Sequence, residues 1–205
     1  MHQQDYEQGA IDHDQFAECA AAAYARLYVL NSVGDIEQSA ATFAREVATV
    51  HGKLMPFARP LVRKLRQMLI APVLITGAPL ELAREIGRAI GITEVYGLDV
   101  AKVQADPAAP LSGTSLGKAL VTARIAKEGR ALAVAMGDAE SDLLMADSAP
   151  ARLLHEKLLE SRPSVTTSAP TQGFTFDTST SVITEWIDKN VTNFALPLGL
   201  DEQDV

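Results

Sequence analysis

The stretch VAMGDAESDLLMADSA (residues 134–149) decides how this chain is read. The apolar run ALAVAM (131–136) ends at Gly137, and two carboxylates follow, Asp138 and Asp142. An apolar run, a glycine and then an alanine- and leucine-rich segment predict a buried strand, a tight turn and a helix over 140–147. That order sets both carboxylates at the carboxyl end of a strand, where open α/β sheets bind ligands. Paired hard oxygen ligands there suit Mg²⁺. A purely structural role competes with this reading, because either aspartate could cap the following helix.

The same grammar appears upstream. APVLITGAP (71–79) reads as a short apolar strand ending in a turn, and Pro79 opens a helix that closes near Gly91. Leu82, Ile86, Ala89 and Ile90 share one face of that helix. Thr76 and Gly77 stand at the strand–helix junction, where a hydroxyl and free backbone N–H groups can hold an anion. Next come a strand around EVYGLDV (94–100), an irregular segment (105–113) and a helix over 116–128. Lys118 lies in SGTSLGKAL, but this is not a nucleotide-binding P-loop. Gly113 and Gly117 enclose three residues rather than four, and Ala119 stands where a Mg²⁺-binding Ser or Thr would be needed. Strands alternating with helices imply a parallel sheet covered on both faces.

Residues 14–68 read as helical. Phe16, Cys19, Ala23, Leu27 and Leu30 recur at helical spacing, as do Ile36, Ala40, Phe43, Val47 and Val50. A third helix is expected to start at Pro56. Toward the C-terminus, SVTTS (164–168) and FTFDT (174–178) read as strands and SVITEWIDKN (181–190) as a helix. The fold class is therefore α/β. A Rossmann-like parallel core (69–190) follows an N-terminal helical cap (1–68), and a tail (191–205) is expected to fray.

Composition narrows the function. The chain of 205 residues is 47% hydrophobic with a net charge of −8. The densest basic run, RPLVRKLRQ (59–67), has the spacing of a solvated helix face, so nucleic acid is not an expected partner. Cys19 is the single cysteine, which excludes an internal disulfide framework. No apolar run is long enough for a bilayer span and the first residues do not resemble a signal peptide. A cytoplasmic protein without a membrane partner is the expectation. His51 and His155 lack partner ligands at metal spacing.

Together, Thr76-Gly77, Lys118 and the Asp138/Asp142 pair are more specific than any of them alone. In this order the sequence resembles the haloacid dehalogenase-like superfamily, in its phosphoserine-phosphatase-like branch with a helical cap. ITGAPLELAREIGRAIGI and MGDAESDLLMADSA carry the likeness beyond single residues, and it covers about residues 5–150. The resemblance implies Mg²⁺-dependent hydrolysis of a phosphomonoester, a small phosphorylated metabolite, through an aspartyl-phosphate. Thr76 and neighbouring amides, Gly77 included, would bind phosphate oxygens. Lys118 would offset charge between nucleophile and phosphate. Asp138, with Asp142 directly or through water, would hold Mg²⁺.

The family's first motif, a hydrophobic strand ending in Asp-x-Asp-x-Thr or Val, has no convincing counterpart in these residues. Asp12-His13-Asp14 has the spacing, but Phe16 fills the Thr/Val position and no apolar strand precedes it. Asp177 follows GFTF, but Ser179 replaces the second aspartate. Without that strand, APVLITG and ALAVAMG lack a shared neighbour. The expectation is that it lies upstream of Met1, or that another segment or subunit fills the gap. A non-catalytic or truncated relative, acting as a phosphate- or metal-binding or regulatory module, is the alternative function. Exposed sheet edges would also suit a homodimer.

Overall fold

A computed structural model describes residues 2–49, 54–106, 109–164 and 168–191. Helices α1 (His2–Glu7), α2 (His13–Leu30), α3 (Val33–Thr49) and α4 (Ala58–Gln67) come first. Asp12 starts α2 through a reciprocal capping box: its carboxylate accepts from the Gln15 N–H, and the Gln15 side chain accepts from the Asp12 N–H. Helix α4 begins two residues later than the expected Pro56, which lies in the preceding turn.

The inward face of α2 differs from the expected one. Leu27 and Leu30 are 49% and 77% exposed, while Ala21 is buried and Tyr24, Ala25 and Tyr28 pack toward Leu98 and Val100. An alanine-rich helix carries more than one apolar stripe, and periodicity alone does not choose between them. The inward stripe combines the small Ala21 and Ala25 with the two tyrosines. In α3 the same choice buries Ala40 and Ala44 and leaves Phe43 exposed.

Strand then alternates with helix: β1 (Val73–Pro79), α5 (Leu80–Ile90), β2 (Glu94–Leu98), α6 (Val100–Ala105), α7 (Ser115–Lys127) and β3 (Ala135–Gly137). After a 3₁₀ turn (Glu140–Asp142) come α8 (Leu143–Ala146), β4 (Arg152–His155), α9 (Glu156–Ser161), β5 (Thr171–Phe174) and α10 (Thr180–Asn190). Gly91 closes α5 at φ 90°, a left-handed conformation that favours glycine. All described strand pairs are parallel, giving the expected α/β, Rossmann-type architecture with helices at its N-terminus. Strand β3 is shorter than ALAVAM, and β5 ends at Phe174, where a strand was expected to begin. Elements α6, β4 and α9 carried no sequence expectation. The expected SVTTS strand falls partly on residues 165–167, outside the described residues, as do His51 and the DEQDV tail.

The strands form two groups, β1–β2 and β3–β4–β5. Among the described residues, no strand pairs with the remaining edge of β1 or of β3. The three-stranded group is the better buried. One face packs Leu153 and Phe174 against Phe57, Leu61 and Leu65 beside α10 residues Ile183 and Ile187. The other face packs Ala135 and Leu154 against Met145, Ala146 and Leu158. Ile75 of β1 touches this second cluster, so the two groups share a core. Helix α3 lies on α5, and α2 lies along α6 and reaches the 3₁₀ turn.

Candidate active site

Gly137 ends β3 where a side chain has no room: a Cβ there would stand 2.2 Å from the Asp142 Cβ. The glycine lets the 3₁₀ turn fold back so that Asp142 returns beneath the strand end. The Asp142 Oδ2 then accepts from the N–H groups of Asp138 and Ala139, each at 3.0 Å. Its Oδ1 accepts from Lys118 Nζ at 2.6 Å. Lys118 Nζ also donates to Ser141 Oγ at 2.9 Å.

Asp142 and Lys118 form a buried ion pair, their side chains 7% and 8% exposed. Burying two charges costs several kcal/mol apiece unless hydrogen bonds compensate. Here two backbone N–H groups and a hydroxyl supply that compensation. Among the described residues, no buried side-chain polar atom lacks a partner. Asp138 is the opposite case. Its side chain is exposed, and no hydrogen bond or ion pair holds it to another described residue.

Helix α7 places Lys118 one turn from its start. Thr114 caps it, accepting from the Gly117 N–H at 3.1 Å and donating to the Leu111 carbonyl at 2.9 Å. The preceding loop presses on β1. Gly77 and Gly113 touch through their backbones, since a Cβ on Gly77 would lie 2.9 Å from Gly113 Cα. Ser112 Oγ donates to the Thr76 carbonyl at 2.8 Å. The Thr76 hydroxyl accepts from the Ala78 N–H at 3.2 Å within its own turn.

The fold thus joins Lys118 directly to Asp142, brings the Asp138 backbone N–H onto the same carboxylate, and ties Thr76-Gly77 to this cluster through the 111–115 loop. It does not join the Thr76 hydroxyl to Lys118 or to either aspartate by a hydrogen bond. The other candidates lie in different roles. Asp12 caps α2, and Asp177 sits in an exposed turn. Asp14 Oδ1 accepts from Ser115 at the start of α7. His155 caps α9 and packs edge-on against Phe174. Cys19 is a half-buried free thiol on α2. Sequence reading missed Ser141 as a partner of Lys118 and the Asp14–Ser115 contact. The second spans 101 residues, so no local spacing announces it.

The donor set fits Mg²⁺ in its sparest form. No group of three or more His, Cys, Asp or Glu converges on one point among the described residues. Mg²⁺ nevertheless binds commonly through one or two carboxylates, with waters and substrate phosphate completing its shell. Asp138 has the free carboxylate for direct ligation. Both Asp142 oxygens are already engaged, which suits an outer position reached through water.

A family model for haloacid dehalogenase-like hydrolases matches residues 5–147. The chain belongs to the haloacid dehalogenase-like hydrolase family. Searches of curated proteins and of solved structures gave no match. The family match runs from before α2 to just past α8, so it takes in the N-terminal helices and every residue of the cluster. As a family member the chain is a hydrolase-type domain, and the family generally uses Mg²⁺. No helix among the described residues is long and apolar enough to cross a membrane.

Proposed function

We propose that this chain carries the phosphate- and Mg²⁺-binding face of a phosphomonoester hydrolase acting on a small phosphorylated metabolite. The observation that carries the reading is the buried Lys118–Asp142 pair beside the exposed Asp138 at the end of β3. Lys118 supplies a fixed positive charge next to the carboxylates. A phosphate dianion near two aspartates is held only if such charge is present. Thr76 would turn its hydroxyl outward, and with the Gly77 and Ala78 amides it would donate to the phosphate oxygens. Asp138 would hold Mg²⁺ directly and Asp142 through water. When bound, that ion neutralises phosphate charge and orients the ester. Helix α2, resting on the loop before α7, is placed to cover the strand ends and limit water.

The attacking carboxylate is the remaining requirement. In the family resemblance it stands on a strand between those bearing Thr76 and Asp138. Strand β1, which carries Thr76-Gly77, and strand β3, which precedes Asp138, belong to separate groups with no strand joining them among the described residues. A second reading, a binding or regulatory module without turnover, is favoured by a separate observation. Asp12, Asp14 and Asp177 are engaged in capping, in the Ser115 contact or placed in an exposed turn.

Hydrolysis of p-nitrophenyl phosphate with Mg²⁺ and with EDTA, beside an Asp138→Asn variant, separates the two. Metal-dependent turnover lost in the variant supports the enzyme. A folded chain that binds orthovanadate with Mg²⁺ but turns over no ester supports the module. A chain that does neither overturns the phosphate reading.

A further inference from the structure

The Asp14 carboxylate is the one candidate from the sequence that reaches the cluster without entering it. Its Oδ1 accepts from the Ser115 N–H at 3.0 Å and from the Ser115 hydroxyl at 3.3 Å. Ser115 is the first residue of α7, and Lys118 follows three residues later on the same side of the helix. The first closed bond of that helix runs from the Lys118 N–H to the Thr114 carbonyl at 3.0 Å. A force on Ser115 therefore reaches Lys118 through one rigid turn.

Helix α2 also touches the 3₁₀ turn that supplies Ser141 and Asp142. Its Ala17 methyl stands 3.5 Å from where a Cβ on Gly113 would lie. A carboxylate at the N-terminus of a helix of 13 residues is also favoured by the helix dipole.

We infer that Asp14 is a positioning residue that sets Lys118 against Ser141 and Asp142 by holding the first turn of α7. The inference rests on the phosphate reading of Lys118 for its functional meaning. It gives the N-terminal helices a task in the chemistry: the segment that covers the site also aims its lysine. Displacing α2 would release Ser115 and loosen the lysine, so access and charge alignment are coupled.

The test reads Lys118 directly. The folded chain is treated with acetic anhydride and each lysine's acylation rate is followed by mass spectrometry. Lys118 is 6% exposed and should react slowly, with the exposed Lys102 and Lys127 as internal controls. Asp14→Ala should raise the Lys118 rate about tenfold or more while the controls stay unchanged. Asp14→Asn keeps an acceptor for Ser115 and should restore protection. Ser115→Pro is the independent variant: it removes both donors, and proline is well tolerated at a first helical position. Should Asp14→Ala fail to fold, Ser115→Pro decides. Unchanged Lys118 protection in a folded variant whose α2 amides exchange faster would mean Asp14 merely pins the helix, and the inference falls. Orthovanadate affinity with Mg²⁺ is measured on the same proteins. A several-fold loss in Asp14→Ala, recovered in Asp14→Asn, supports the full inference. If the native chain binds no vanadate while Lys118 labelling behaves as expected, the phosphate reading fails and the positioning of Lys118 stands.

Discussion

Asp138 and Asp142, four residues apart, have opposite physical situations, and substitution should separate them. Asp142 is buried with both oxygens bonded, so Lys118→Ala leaves a buried carboxylate without its counter-charge. Removing one partner of such a pair costs about 3–5 kcal/mol. Chemical denaturation should show a loss of that size for Lys118→Ala. Asp138→Asn removes an exposed charge and should change stability by less than about 0.5 kcal/mol. The same Asp138→Asn variant should abolish Mg²⁺-dependent vanadate binding, measured by calorimetry. Sequence spacing singled out these two carboxylates as candidates, and the order of the three segments added Lys118. It could not assign their roles, since which oxygens are spent internally depends on how the 3₁₀ turn folds back under Gly137.

At the scale of elements, local chemistry predicted what local chemistry controls. Pro79 and Gly91 bracket α5 as expected, and the apolar face of α10 lies in the main core. The failures have non-local causes. Strand β4 was invisible because its buried Arg152 breaks an apolar pattern; that arginine is accommodated by the Ala146 carbonyl. The inward stripe of α2 was misjudged because α6, the element it packs on, was not anticipated. The turn after β3 depends on one contact, the Gly137 backbone against Asp142. Gly137→Ala must displace that carboxylate and should cost more than about 2 kcal/mol, read as a fall in the denaturation midpoint. A milder effect belongs to β2. The Arg130 hydrogen bond holds the Glu94 carboxyl below its ordinary value. A lowered carboxyl contributes stability above its unfolded value, and the contribution disappears as pH falls through the folded one. Arg130→Ala should therefore lower the melting temperature at pH 7; the difference from the native chain should begin to shrink below about pH 4.5 and be lost as the pH falls further, through the lower folded value. The side chains are about a third exposed, so the effect at neutral pH should stay below about 1 kcal/mol.

At the scale of the whole molecule, the described strands fall into two groups, β1–β2 and β3–β4–β5. Central strands of a parallel sheet are normally buried on both faces. Here β4 meets that standard over Arg152–Leu154, whereas Val73–Thr76 of β1 are only half-buried. Strands β1 and β3 belong to separate groups, linked by the packing of Ile75 against the cluster that contains Ala135. Each has one edge without a strand partner among the described residues. Unsatisfied backbone N–H and C=O groups on such an edge cost about 1–3 kcal/mol each when shielded from water. The family resemblance implies a strand lying parallel between β1 and β3, apolar on both faces and ending in Asp-x-Asp; such a strand would bond on both sides and end beside Thr76, Lys118 and Asp138. A synthetic peptide of that pattern, added in excess, should slow amide exchange in both Leu74–Ile75 and Ala135–Met136. At a hundredfold excess over its Kd it should stabilise the chain by about 2.7 kcal/mol, read as a rise in melting temperature. A peptide with both aspartates replaced by asparagine should still pair but should not support Mg²⁺-dependent ester hydrolysis. Amides that are already strongly protected in the free chain, with no response to peptide, would mean that β1 and β3 are closed against each other. The site would then be a binding pocket rather than half of a catalytic one.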